Sequence, residues 1–220
     1  MKKSRQAGIR KVIVPAGFCC CCFGSTKTAV WRAAGRFCGC CKEAEIVDYA
    51  VTAQQMKAVD QNTIQGIGIP SMVLMERAAL AVAEAAVCMA DERGLGKRAR
   101  ILVACGTGNN GADGVAAGRI LQGRGYEVRL FFAGNPEHDS EEMKAQKRIA
   151  QKLQLVQVTE ETYESEPYDI ILDALFGIGL GREITGAYRQ VLETLERLRQ
   201  KWNASVIAVD TPSGIHGSTG

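Results

Sequence analysis

From residue 52 onward, short apolar runs alternate with longer stretches whose apolar positions recur at helical spacing. The runs predict strands over 101–105, 127–132, 154–158, 168–172 and 205–209. The periodic stretches predict helices over 53–65, 71–91, 115–124, 139–153 and 187–201. Thr52 fits an N-cap for the first helix, with Met56, Val59 and Ile64 on its apolar side. Gly66-Ile-Gly68-Ile-Pro70 breaks it. The next helix is rich in Ala, Leu, Met and Val, with Glu76, Arg77 and Glu84 among its few polar residues. Such a helix is either largely buried or part of an oligomer interface. Val191, Leu192, Leu195 and Leu198 mark the buried stripe of the last helix. Strand–helix alternation predicts an α/β fold: three-layer, Rossmann-like, with a mostly parallel sheet and helices on both faces. Right-handed crossovers put the carboxyl ends of the strands on one rim, where such sheets bind ligands.

The stretch from Ile101 to Gly114 is the most informative. An apolar strand runs into Gly106-Thr-Gly-Asn-Asn-Gly-Ala-Asp-Gly114 and then into a helix. That geometry aims backbone N–H groups at one spot and suits an anion. Gly106, Gly108 and Gly111 satisfy GxGxxG, but a dinucleotide fold of the usual kind also has an acidic residue about 20 positions on. Phe131, Phe132, Ala133 and Gly134 occupy that region, so an ordinary NAD-dehydrogenase loses its second support. The polar residues Asn109, Asn110 and Asp113 are unusual in such a loop. They suggest ligands for a cation, a sugar or an amide; the plainer alternative is local Asx turns. Two more polar groups end apolar strands, Asp173 and the pair Asp210 and Ser213. Three such endings on one rim predict a shared site.

Charge and cysteine divide the chain. Of 27 Lys and Arg, nine lie in residues 1–46 against two Glu; residues 47–220 carry 18 against 22 acidic residues. A mildly acidic body argues against broad nucleic-acid binding. Seven of nine cysteines lie between Cys19 and Cys41. Residues 1–46 read as a basic, Cys-rich extension, disordered or upstream of the true start. Its apolar stretch from Val12 to Phe23 has a signal-peptide outline without a clean cleavage site, and Cys38-Gly-Cys-Cys41 lacks zinc spacing. In the body, Cys88 and Cys105 read as small buried hydrophobes, and the lack of a disulfide framework fits the reducing cytoplasm. No apolar run has transmembrane length.

Residues 47–220 resemble the NAD(P)H-hydrate epimerases of the YjeF N-terminal family. The likeness rests on Met56-Lys-Ala-Val-Asp60, Gly68-Ile-Pro-Ser-Met-Val-Leu-Met-Glu-Arg77, the glycine stretch 106–114, Asp173-Ala-Leu-Phe-Gly177 and Val209-Asp-Thr-Pro-Ser-Gly214. The resemblance implies epimerisation of the R and S forms of NADH or NADPH hydrated at nicotinamide C6, which feeds a partner dehydratase, ADP- or ATP-dependent and sometimes fused. It implies a potassium ion held by Asn110, Asp173 and Ser213. It further implies substrate contacts from Asn109, Asn110, Gly111, Ala112, Asp113, Gly177, Ile178, Gly179, Leu180, Gly181, Arg182, Glu183 and Asp210. Asp210 is the expected catalytic acid–base, and a homodimer through helix 71–91 is expected.

Two positions depart from the family pattern. Ala112 stands where a second glycine is usual, at a cost of about 1 kcal/mol if that position needs positive φ and little if the helix starts there. His216 stands where an acidic residue is common. Family members continue beyond the equivalent of Gly220, so the chain is expected to be truncated at its C-terminus. The alternative is a non-catalytic scaffold of the same fold, dimerising and binding RNA or protein. Retention of Asn109, Asn110, Asp113, Asp173, Asp210 and Ser213 together favours the enzyme.

Overall fold

The computed structural model describes residues 12–14, 52–180 and 183–215. Its six strands form one sheet in the order β1-β6-β5-β2-β3-β4, with every pairing parallel. They are β1 (Val12–Val14), β2 (Arg100–Cys105), β3 (Glu127–Phe132), β4 (Val156–Val158), β5 (Ile170–Ala174) and β6 (Ser205–Val209). The helices are α1 (Ala53–Gln61), α2 (Ser71–Glu92), α3 (Asn109–Gly123), α4 (Glu141–Lys152) and α5 (Gly186–Trp202). The predicted three-layer parallel architecture is what the chain adopts. Strand β1 falls within the expected 1–46 extension and runs beside β6; the rest of that extension lies outside the described residues.

Strands buried on both faces read as unbroken apolar runs. In β2, Ile101, Val103 and Cys105 face a core shared with α2, α3 and α4. Leu102 and Ala104 face the opposite core, which α5 closes with Val191, Leu195 and Leu198. Chain order moves outward from β2 through β3 to β4, then returns to β5 on the other side of β2. The sheet therefore reverses direction between β2 and β5, which opens a crevice at their carboxyl ends.

Four local expectations are corrected. Helix α3 begins at Asn109 rather than near residue 115, with Gly108 as its N-cap. The glycine stretch is thus largely the first turns of a helix. Residues 62–67 continue α1 as a π-helical segment, ended by left-handed Gly68 at φ 88°; Met56 and Val59 are exposed, so the predicted apolar side of α1 is uncovered. Thr52 does cap α1, in a reciprocal box with Gln55. Glu76 of α2 pairs with Arg119 of α3. Cys105 is buried as expected, and burial pushes its thiol pKa up. Cys88, by contrast, is only half-buried.

Candidate functional site

Three segments meet where the sheet reverses direction. The first is the β2–α3 junction. Gly106 donates its N–H to the Ala174 carbonyl at 3.0 Å, tying the ends of β2 and β5 together. A Cβ on Gly106 would strike the Leu175 carbonyl, and one on Gly111 would strike the Gly106 carbonyl. Both positions need glycine because backbone passes against backbone. Ala112 donates to the Gly108 carbonyl at 3.1 Å. It lies inside α3 and is absent from the positive-φ residues, so alanine is accommodated there without strain.

The second segment leaves β5. Asp173 is the fourth residue of β5, not its successor, and is buried at 7% exposure. Its carboxylate accepts the Ser213 hydroxyl at 2.6 Å and the Ser213 N–H at 3.0 Å. It also accepts the Leu175 N–H at 3.3 Å. The Ser213 hydroxyl in turn accepts the Phe176 N–H at 3.1 Å. This network fastens the turn after β6 to the turn after β5.

The third segment follows β6. Asp210 is held in the left-handed region at φ 70°, a conformation that non-glycine residues seldom adopt. Its carboxylate accepts the Ile178 N–H at 2.6 Å. A Cβ on Gly177 would strike that same carboxylate and come within 3.4 Å of the Asn110 side chain. Gly177 is therefore the spacer that lets Asp210 and Asn110 approach one another. Backbone strain held by tertiary contacts is a recurring property of functional positions.

Two features distinguish this rim from a merely well-tied loop. Both polar atoms of the Asn110 side chain are buried without a hydrogen-bond partner, although buried polar groups are almost always paired. An oxygen-seeking cation would satisfy Oδ1, and a substrate acceptor would satisfy Nδ2. Asp113, one turn along α3, has its pKa pushed up to about 8, first by burial, then by the charges of Asp210 and Asp60. Asp210 is also shifted upward, by burial first, against the lowering effect of the Ile178 N–H.

Of the predicted site residues, Asn110, Gly177, Ile178 and Asp210 converge, and Asp173 with Ser213 forms the adjoining network. Asn109 is exposed at the start of α3. Leu180 donates its N–H to the Gly177 carbonyl at 3.1 Å, closing a turn around Gly179. Glu183 is exposed. Gly181, Arg182 and His216 lie outside the described residues. Sequence reasoning missed Asp60 as a site residue. It sits on α1, and its charge reaches both Asp113 and Asp210. The Met56–Asp60 motif carried that signal without saying where α1 would pass.

A parallel α/β sheet with carboxylates, an amide and a hydroxyl gathered where its strand order reverses defines a protein of Rossmann-like architecture with a polar cluster at its switch point. The chain belongs to the YjeF-related protein N-terminus family, which matches residues 71–220. It is 41% identical over 175 residues to the NAD(P)H-hydrate epimerase of Limosilactobacillus fermentum, covering 80% of this chain and 79% of that one. It is also 41% identical over 171 residues to the NAD(P)H-hydrate epimerase of Weissella koreensis, covering 78% and 73%. The solved yeast protein YNL200c shares the fold, with a TM-score of 0.65 at 24% identity over 76% of this chain and 72% of that one.

Proposed function

We propose that the chain is an NAD(P)H-hydrate epimerase that interconverts the R and S forms of C6-hydrated NADH and NADPH. The observation that carries this reading is the convergence of Asp210, Gly177 and Asn110 at the switch point, in a chain about 40% identical to curated epimerases over four-fifths of its length. Epimerisation requires the configuration at C6 to be lost and restored. Water can leave and return at the other face, or the C6–N1 bond can open to an aldehyde and reclose. Either route needs one group that gives and takes a proton at the C6 oxygen. Asp210 fills that role: its carboxylate is oriented by the Ile178 N–H and its pKa is raised by burial. The start of α3 offers N–H donors to the substrate phosphates.

Potassium fits the same rim. The unpartnered Asn110 amide, the Asp173 carboxylate and the Ser213 hydroxyl are the hard oxygen donors such an ion takes. Bound there, the ion would supply positive charge next to the anionic substrate. Unfolding temperature should rise in potassium chloride relative to tetramethylammonium chloride, and Asn110→Leu should abolish the difference. Equal unfolding temperatures in the two salts would remove the ion from this reading.

The wider setting belongs to the same proposal: a cytoplasmic homodimer, coupled to an ADP- or ATP-dependent dehydratase and not dependent on nucleic acid. Among the described residues, no helix is long and apolar enough to cross a membrane. The deciding experiment mixes the protein with R and S hydrates and an S-specific dehydratase, and follows recovery of NADH absorbance. Complete recovery faster than spontaneous epimerisation is expected. Asp210→Asn should slow it by about 100-fold or more, with substrate binding retained. Recovery that stalls at the S fraction with wild-type protein would overturn the proposal.

A further inference from the structure

Three elements bring side chains to the crevice at the switch point. A Cβ on Gly177, after β5, would strike the Asp210 carboxylate from the turn after β6 and come within 3.4 Å of the Asn110 side chain from α3. Asp210 and the first turn of α3 therefore both border this glycine. Asp113 lies three positions after Asn110 in α3, so the two side chains leave the helix on one face, with Cβ atoms about 5–6 Å apart. The α3 side of the crevice thus carries a carboxyl group of its own. Asp113 is half-buried. The charges of Asp210 and of Asp60 on α1 reach it, and among the described residues no hydrogen bond engages its carboxyl group. The Asn110 amide on the same face is equally unengaged, with both polar atoms buried. Buried polar groups are normally paired within the fold, so this side of the crevice is arranged to face a ligand.

We propose that Asp113 is a second catalytic acid–base, and that Asp113 and Asp210 serve opposite faces of the hydrated nicotinamide ring. The inference rests on the epimerase reading given above and selects its water-loss route. Configuration at C6 inverts when the hydroxyl departs from one face and returns at the other. A proton-transfer group must lie within about 2.6–3.2 Å of the oxygen it serves. A carboxyl group that reaches the oxygen on one face is on the wrong side of the ring for the other. Two elements here supply two such groups. In one direction Asp113, held neutral by burial and by the neighbouring carboxylates, gives its proton to the C6 oxygen. The C6–O bond breaks with its electron pair on oxygen, water leaves, and the N1 lone pair forms a C6=N1 double bond. A water then attacks C6 from the Asp210 side, the double-bond pair returns to N1, and the Asp210 carboxylate takes the proton. One water leaves and one enters. Asp113 ends ionised and Asp210 protonated, the state from which the opposite epimer is converted back; exchange of protons with solvent resets the pair. Between the two steps the ring is cationic, and the carboxylates around it stabilise that charge.

Oxygen exchange separates the two faces. Each pure epimer of the NADH hydrate is incubated with protein in ¹⁸O-enriched water, and mass spectrometry follows label at C6 alongside inversion, with the spontaneous rates subtracted. Wild-type protein should label the hydrate as it inverts it. Asp113→Asn should slow inversion in both directions by about 100-fold or more, yet still label one epimer. That epimer goes on losing and regaining water on the Asp210 side with its configuration retained. Asp210→Asn should give the mirror result and label only the other epimer. The retained labelling also shows that each variant is folded. If Asp113→Asn inverts at the wild-type rate, labels both epimers or labels neither, the two-face assignment fails and the epimerase reading stands. The same holds if the two variants label the same epimer. Inversion by wild-type protein without label at C6 would overturn the assignment in favour of ring opening. If wild-type protein inverts neither epimer, the epimerase reading itself fails, and the assignment with it.

Discussion

Asp113 and Asp210 carry the same functional group in different settings. Burial raises the Asp210 pKa too, but a backbone N–H from Ile178 on its carboxylate opposes that rise. Asp113 has its pKa pushed to about 8, mainly by burial, and at neutral pH it is largely protonated. A native pKa above that of the unfolded chain means that the folded state holds a proton the unfolded state releases. The stability tied to Asp113 is therefore fully present below about pH 4 and is lost as pH rises through 8. In potassium-free buffer, unfolding free energy should fall across that window. Asp113→Asn should flatten the fall and leave the protein more stable than wild type at pH 9. Parallel pH curves for the two proteins would show that Asp113 does not carry this linkage. At this scale the polar ends of apolar strands make Asn110, Asp113, Asp173, Asp210 and Ser213 legible as candidates in the sequence. It was silent about the left-handed backbone at Asp210 and the unpartnered Asn110 amide. Both belong to residues whose side chains the fold sets beside Gly177, more than 30 positions from Asp210 along the chain.

At the level of elements, strands 127–132 and 205–209 were legible to the residue because buried parallel strands are apolar runs with sharp polar ends. The start of α3 was not. Four glycines between residues 106 and 114 read as a flexible turn, yet the structure uses only part of that stretch as one. Gly111 and Gly114 lie inside the helix for want of space, not for conformational freedom. A Cβ on Gly114 would strike that of Ala174 and come within 3.3 Å of Val103. Gly123, in the same helix, has nothing within 4 Å of its side-chain position. Replacing a helical glycine gains up to about 1 kcal/mol of propensity, while overpacking a tight contact costs about 1–3 kcal/mol. Gly114→Leu should thus destabilise the fold by about 2 kcal/mol, and Gly123→Ala should stabilise it by about 0.5–1 kcal/mol. Chemical denaturation of the two variants checks this. A stabilised Gly114→Leu would mean that α3 does not press on β2 and β5 as closely as described.

Across the whole molecule, α1 and α2 are unevenly covered. Helix α2 buries Ala79, Val82, Ala83 and Ala86 in the core it shares with α3 and the sheet. Two of its apolar residues face outward, Val73 at 46% and Leu80 at 40% exposure, and on the preceding segments Val59 is 54% and Ile67 66% exposed. Scattered exposed apolar residues are ordinary; if these four form one patch, it would suit an association surface. The proposed homodimer would cover it. That arrangement would also bear on the site, because α1 carries Asp60, whose charge acts on Asp113 and Asp210. Burying the outer side of α1 against a partner would fix how close that carboxylate sits. Val73→Glu should therefore convert a dimer into a monomer in sedimentation velocity. Its unfolding free energy measured at low protein concentration should stay within about 0.5 kcal/mol of wild type, since the side chain is exposed in the single chain. A wild-type protein that sediments as a monomer at micromolar concentration would remove the dimer. A variant that stays dimeric would place the interface elsewhere on the surface and leave the outer side of α1 open to solvent.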